Sequence, residues 1–137
     1  MRALWLTLLL GVTLFGAPRL QWYGDYAKAH QEALKYKRAL MVLVVKPHDP
    51  LTQRIVRDVL FNRNYLTALQ ERVVAVMVTY EGRASYPIEN YYTTQFPALF
   101  VVDPLREVAI VPPLYGEEIT PEALRSVLQQ LQTKPTL

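Results

Sequence analysis

The 137-residue sequence contains no cysteine. Disulfide bridges, thiolate nucleophiles and Cys-x-x-Cys redox pairs are therefore excluded, as is lipid attachment at a cysteine. Dense basic blocks are missing too, because the 15 basic and 12 acidic residues are spread along the chain and leave a net charge of +3. Nucleic-acid binding needs enough clustered lysine and arginine to neutralise several phosphates. We predict that the protein does not bind nucleic acid.

Motifs for metal and phosphate binding are also missing. The sequence has two histidines, His30 and His48, and no cysteine, whereas a zinc site needs three or four converging ligands. It has neither a glycine-rich phosphate loop nor a G-x-S-x-G motif. We therefore predict no metal site and no other cofactor.

The N-terminus has the pattern of a secretory signal. A single charge at Arg2 precedes an uncharged, leucine-rich run, Ala3–Phe15, and small residues follow it. The run is shorter than the roughly 20 residues that cross a bilayer comfortably. We predict that residues 1–17 direct export to the periplasm or another extracytoplasmic space, and that residues 18–137 form one domain.

The fate of this segment stays open, because its cleavage site is poor. Ala17 is a suitable last residue of a signal, but Phe15 is too bulky for the usual small-x-small pattern. One alternative is cleavage after Gly16 or Ala17. A second is retention, with residues 3–17 serving as a membrane tether, and a third is that the segment forms a buried first helix of the domain.

Two apolar runs of strand length, Ala39–Val45 and Val73–Thr79, form the predicted centre of the fold. Continuous apolar runs of this length are typical of strands that are buried on both faces. Between them, Asp49 and Pro50 predict a helix start, with a carboxylate at the N-cap and proline at the first helical position. A strand–helix–strand unit of this length predicts a right-handed parallel pair.

Further elements surround this unit. Apolar spacing predicts a first helix over Trp22–Lys37, and Thr120 followed by Pro121 predicts the start of a last helix. Ala98–Val102 and Glu107–Val111 are predicted strands, antiparallel because a tight turn joins them. The fold class we predict is α/β, a three-layer sandwich whose mixed central sheet has about four strands and helices on both sides.

The order of these elements and several short motifs resemble the thioredoxin fold, in particular small exported thioredoxin-like domains. Trp22-Tyr-Gly-Asp-Tyr-Ala-Lys-Ala29 is similar to their opening helix, and Phe96-Pro97-Ala98 to their cis-proline loop. Leu114-Tyr115-Gly116 is similar to the glycine bend before their last helix. The resemblance covers about residues 20–132 and implies a cis peptide bond between Phe96 and Pro97.

The resemblance also places the family's W-C-x-x-C redox motif at the start of the second helix. Asp49 and Thr52 fall on the two cysteine positions, and His48 falls on the tryptophan position. A redox-inactive member of the family is implied. Taken by themselves, the residues favour Asp49 as an inert N-cap; the alternative is that His48, Asp49 and Thr52 act as base, orienting group and nucleophile.

An aromatic-rich segment precedes Pro97. In the resembled fold, this loop and the redox motif share one face, where extended substrates pair with the backbone before the proline. The resemblance thus implies that the protein binds a protein or an extended peptide through a face made of His48, Tyr91, Tyr92, Phe96 and Pro97. For Tyr91 and Phe96, packing beneath the loop is the alternative.

Two other function classes remain open on the sequence. One is a non-thiol enzyme that uses His48 and Asp49, and the other is a structural subunit of an envelope complex. The enzyme requires an activity that is lost when His48 is replaced in a folded protein, whereas the binding module requires loss of a partner when Tyr92 or Phe96 is changed.

Overall fold

The computed structural model describes residues 21–61, 65–81 and 86–133. The predicted export segment, residues 1–17, lies outside them. The described strands and helices follow one another as β1 (Trp22–Tyr23), α1 (Tyr26–Tyr36), β2 (Ala39–Val45), α2 (Pro50–Ile55), α3 (Tyr65–Gln70), β3 (Val73–Thr79), β4 (Ala98–Asp103), β5 (Val108–Ala109), β6 (Leu114–Tyr115) and α4 (Pro121–Thr133).

Three short turns of helix complete the described chain. A π-helical turn continues α2, and two 3-10 turns precede β4 and α4, over Val56–Leu60, Ile88–Tyr91 and Gly116–Glu118 respectively. The part of the chain that the structure describes contains no helix with both the length and the apolar character needed to cross a membrane.

The sheet is mixed, as the sequence predicts. Its strand order is β1-β3-β2-β4-β5, and β6 also pairs with β4. β2 runs parallel to β3 along its whole length, from Ala39 opposite Val73 to Val45 opposite Thr79. β4 runs antiparallel to β2, with Val44 opposite Ala98. The long valine-rich strands occupy the centre because they can be buried on both faces.

The two faces of β2 belong to different layers of the core. Met41 and Leu43 lie in the cluster that contains α2, α3 and α4, whereas Leu40 and Val42 lie in the cluster that contains α1. Side chains alternate between the faces of a strand, so one continuous apolar run supplies both layers. The predicted three-layer sandwich is therefore confirmed.

Two predicted boundaries are wrong. α1 begins at Tyr26 rather than Trp22, because the Asp25 side chain accepts a hydrogen bond from the Lys28 N–H and caps the helix. Trp22 and Tyr23 instead pair with β3 as a short strand.

The predicted strand Glu107–Val111 is reduced to the two residues of β5. Glu107 has a left-handed backbone with φ of 57°, which closes the hairpin turn before the strand begins. With β1 and β6 added, the sheet formed by the described residues has six strands instead of about four.

The strand directions distinguish the two ends of the sheet. β2 ends where β4 begins, and the pairing of Val44 with Ala98 places Pro97 beside the end of β2. We call this end the site edge. At the opposite end, β2 and β3 begin and the β4–β5 hairpin turns, as the pairing of Leu40 with Val102 shows.

Candidate functional site

Asp49 caps α2 at the site edge. Its Oδ2 accepts hydrogen bonds from the backbone N–H of Thr52 at 3.0 Å and from the Thr52 hydroxyl at 2.7 Å. Pro50 is the first helical residue, where the absent N–H costs nothing. Thr52 is only 6% exposed. Both side chains are therefore engaged in starting the helix, and the hydroxyl is not accessible to a substrate.

His48 lies outside this pair of hydrogen bonds. It is exposed, in the turn between β2 and α2, with a left-handed backbone of φ 60°. Within the described residues its ring makes no hydrogen bond, so His48, Asp49 and Thr52 do not form a base–orienter–nucleophile relay. The geometry favours the interpretation of Asp49 as an inert cap.

Pro97 lies at the site edge, directly before β4, and its carbonyl contacts the turn that follows β6. The peptide bond between Phe96 and Pro97 is cis. The Pro97 carbonyl accepts a hydrogen bond of 2.8 Å from the N–H of Gly116, whose φ is +56°. A Cβ added to Gly116 would lie 3.8 Å from Leu51 Cδ2 and 4.0 Å from the Phe96 carbonyl oxygen. Glycine fits this position because its backbone is left-handed.

In the segment before Pro97, the backbone groups of Gln95 and Phe96 differ in their hydrogen bonding to the described residues. The Thr93 hydroxyl donates to the carbonyl of Gln95 at 2.7 Å and accepts from its N–H at 3.0 Å. Both main-chain groups of Gln95 are thus satisfied. No hydrogen bond to any described residue engages the N–H or the C=O of Phe96, which offers one donor and one acceptor beside Pro97.

Aromatic side chains flank this free backbone. The ring of Phe96 is half-buried and packs on that of Tyr80, with 4.9 Å between centroids. The Lys46 ammonium lies 5.9 Å from the centroid of the Phe96 ring. The side chain of Tyr92 is 64% exposed and is not part of either core cluster. An aromatic ring and a cation therefore lie beside the Phe96 side chain.

Tyr91 does not belong to the exposed face, which corrects the sequence-based expectation for this residue. Its side chain is 1% exposed and packs edge-on against Phe100. Its hydroxyl forms a 2.9 Å hydrogen bond with that of Tyr26. Burial, and next the bond to Tyr26, raise the pKa of Tyr91 well above its ordinary value. Packing beneath the loop is the correct alternative for this side chain.

Two solved structures share this architecture. One is titled "DsbH Oxidoreductase", with a TM-score of 0.68 and 14% identity over 92% of this chain and 94% of that chain. The other is the solution structure of a thioredoxin from Thermus thermophilus, with a TM-score of 0.68 and 23% identity over 85% of this chain and 90% of that chain. The protein has a thioredoxin-like fold. No protein-family model matches the chain, and no curated protein matches it significantly.

The thioredoxin-like fold here has no thiol with which to act. The sequence holds no cysteine, so a thiolate cannot attack a disulfide, and the chain is redox-inactive in that sense. Across the described ranges, no three His, Cys, Asp or Glu side chains converge as metal ligands would. What the site edge offers is a backbone donor and acceptor at Phe96, whose ring lies beside Tyr80 and Lys46.

Sequence reasoning missed two contributors to this thioredoxin-like site, Thr93 and Lys46. Thr93 has a local signal, since a threonine two residues before Gln95 can form a hydroxyl-to-backbone turn. Lys46 has none, because its position over the Phe96 ring depends on the pairing of β2 with β4.

Proposed function

We propose that this protein is an exported, redox-inactive, thioredoxin-like binding module that takes an extended peptide or protein segment at the site edge. The observation that carries the proposal is that no hydrogen bond to any described residue engages the N–H or the C=O of Phe96, which precedes Pro97. A bound segment in β conformation supplies the complementary acceptor and donor.

Physical chemistry supports an extended ligand at this position. In strand addition, main-chain hydrogen bonds provide affinity, while neighbouring side chains provide specificity. Tyr92 and the half-buried ring of Phe96 offer apolar area, and aromatic residues of this kind dominate binding energy at protein interfaces. Lys46 adds a cation near the same ring. The site therefore suits a segment with an apolar side chain next to its pairing residue.

The enzymatic alternative has less support. A threonine nucleophile needs an accessible hydroxyl and a positioned base, whereas the Thr52 hydroxyl is buried and donates to the helix cap. His48 has no hydrogen bond within the described residues that would orient it. Export rests on the sequence of residues 1–17.

Selection from a display library of random dodecapeptides tests the proposal with the full chain as bait. We expect Tyr92→Ser to lower the affinity for the selected peptides by roughly tenfold, as truncation of an interface aromatic commonly does. Val108→Ser is the matched control, because Val108 is exposed at the other end of the sheet, and it should leave peptide affinity unchanged. Failure to select any peptide, or equal losses for both variants, would overturn the proposal.

Amide hydrogen exchange of the protein tests whether a bound peptide pairs with the backbone of Phe96. A bound peptide should slow exchange of the Phe96 amide at least tenfold, whereas the Gly116 amide, already bonded to Pro97, should change little. Peptides N-methylated at successive positions should identify one position whose N–H is required, with a loss of about fivefold or more. Binding without protection of Phe96 would contradict pairing at this residue.

A further inference from the structure

The end of the sheet opposite the site edge carries a cluster of basic residues. The last turn of α1 and two adjacent turns, one after α1 and one after α3, bring together basic side chains that we call the basic end: Lys35, Lys37, Arg38 and Arg72. Glu71 is the one acidic residue in these two turns, and no ion pair within the described residues engages the basic four.

Hydrogen bonds hold the two turns side by side. Arg38 Nη1 donates to the carbonyl of Gln70 at 3.3 Å, and the N–H of Ala39 donates to the carbonyl of Arg72 at 3.2 Å. Lys35 and Arg38 lie over the ring of the half-exposed Tyr36, at 5.2 and 5.5 Å from its centroid. The positive charges are therefore concentrated on one surface.

The chain enters the domain at this same end. The N–H of Gln21 donates to Oε1 of Gln70 at 2.8 Å, so the segment that precedes residue 21 joins the domain next to the α3 turn. Six residues, 16–21, separate the apolar run Ala3–Phe15 from β1, and they span at most about 22 Å. Any membrane that holds the uncharged run Ala3–Phe15 therefore lies close to the basic end.

We propose that the basic end rests on anionic lipid headgroups of the membrane into which residues 3–15 insert, so that the site edge faces away from the bilayer. One weakly inserting apolar segment combined with a basic patch is a sufficient pair of signals for stable attachment. Each lysine or arginine close to an anionic surface favours contact by about fivefold. The short tether keeps these charges near the surface, where screening is incomplete. This inference is independent of the proposed peptide site.

The β4–β5 hairpin supplies a reporter position. Leu105, at its tip, is 76% exposed and lies at the same end of the sheet, as the pairing of Leu40 with Val102 shows. Because the chain has no cysteine, Leu105→Cys gives a single attachment site for an environment-sensitive fluorophore. Gln53→Cys, in α2 at the site edge, gives the matched label on the other end.

The experiment uses the full chain, with residues 1–17 present, in vesicles of phosphatidylcholine alone or mixed with phosphatidylglycerol. With anionic lipid, the label at residue 105 should shift its emission to the blue, and salt at about 1 M should reverse the shift. The label at residue 53 should not respond. Responses that are equal at both labels or independent of lipid charge, or a full chain that does not float with vesicles, would overturn the proposal.

Charge variants test the assignment to these residues. The triple variant Lys35→Gln/Lys37→Asn/Arg72→Gln should need at least ten times as much anionic lipid as the wild type to give the same response at residue 105. Asparagine is chosen at position 37 because it tolerates the left-handed backbone there. The control Lys28→Gln/Arg57→Gln/Arg125→Gln removes the same charge elsewhere and should leave the response intact. Equal losses for both triple variants, or a label that responds to a DNA duplex rather than to lipid, would contradict the proposal.

Discussion

At the scale of single residues, Asp49 shows how a helix N-terminus can be used without a thiol. The free N–H groups and the dipole of a helix start stabilise an anion, and next to a cysteine they would lower the pKa of its thiol. Here the anion is a carboxylate that accepts from the N–H and the hydroxyl of Thr52. The same local field therefore stabilises the fold instead of activating a nucleophile.

Removing this cap should destabilise the domain. Asp49→Ala should lower the free energy of unfolding by about 1–2 kcal/mol, because it leaves the Thr52 N–H and its buried hydroxyl without their acceptor. Urea denaturation followed by circular dichroism measures the change. Asp49→Asn is the control and should cost less, since asparagine caps helices nearly as well. Equal stability of the wild type and the alanine variant would contradict this account of the cap.

The buried tyrosine pair predicts a loss of stability at alkaline pH. Burial raises the pKa of both Tyr26 and Tyr91 above the ordinary value of 10.0. Above about pH 10 the unfolded chain releases phenolic protons that the folded protein keeps, so the free energy of unfolding falls with rising pH. The slope is up to about 1.4 kcal/mol per pH unit for each group, and the loss continues until the folded pKa values are reached.

A double variant separates this effect from the titration of lysines and the other tyrosines. Tyr26→Phe/Tyr91→Phe removes both hydroxyls together, so neither is left as an unpaired buried group. Urea denaturation at about pH 8 and about pH 11 should show a smaller loss for this variant than for the wild type. Identical pH profiles would mean that the two phenols do not stay protonated in the folded state.

At the scale of elements, the long central strands were predictable and the short ones were not. β2 and β3 have the predicted bounds, because continuous apolar runs of strand length define them. β1, β5 and β6 have two residues each, and their pairing depends on strands far away in sequence. The first predicted helix began too early because Trp22 fits a helical spacing as well as a strand.

Within the candidate site, local signals were predictable and tertiary ones were not. Asp49 followed by Pro50 marks a helix cap in any context, and the structure places the cap there. The burial of Tyr91 depends on Tyr26 and Phe100, which come from other elements. An exposed Tyr92 next to a buried Tyr91 has no signature in the sequence, since neighbours in an irregular segment have no fixed period.

The start of α2 predicts an engineered redox pair. The double variant Asp49→Cys/Thr52→Cys should close a reversible disulfide. The N-cap and the third helical residue lie on one turn, and the native side chains at these positions already contact each other. Thiol titration after oxidation by glutathione disulfide measures closure. The wild type should not accelerate the reduction of insulin by a dithiol reductant, because it has no thiolate. A folded double variant that stays reduced would contradict the placement of the two positions on the redox motif.

At the scale of the whole molecule, β2 contacts both layers of the core and runs between the two ends of the sheet. One face of the strand packs on the layer of α2, α3 and α4, and the other on α1 and Tyr91. Its beginning adjoins the basic end, and its end leads through Lys46 to the site edge. Because β2 begins at the basic end and ends at the site edge, the proposed peptide pairing and the proposed lipid contact would occupy opposite ends of one sheet.

Such a shared strand predicts that both layers unfold together. Leu40→Ala creates a cavity on the α1 side and Leu69→Ala one on the other side, and each should cost about 2–5 kcal/mol. Trp22 packs on the Leu69 side, so its fluorescence in a Trp5→Phe background reports on that layer. If β2 couples the layers, Leu40→Ala should shift the Trp22 transition in urea as far as it shifts the circular dichroism transition. Separate midpoints for the two probes would show that the layers unfold independently and that β2 does not couple them.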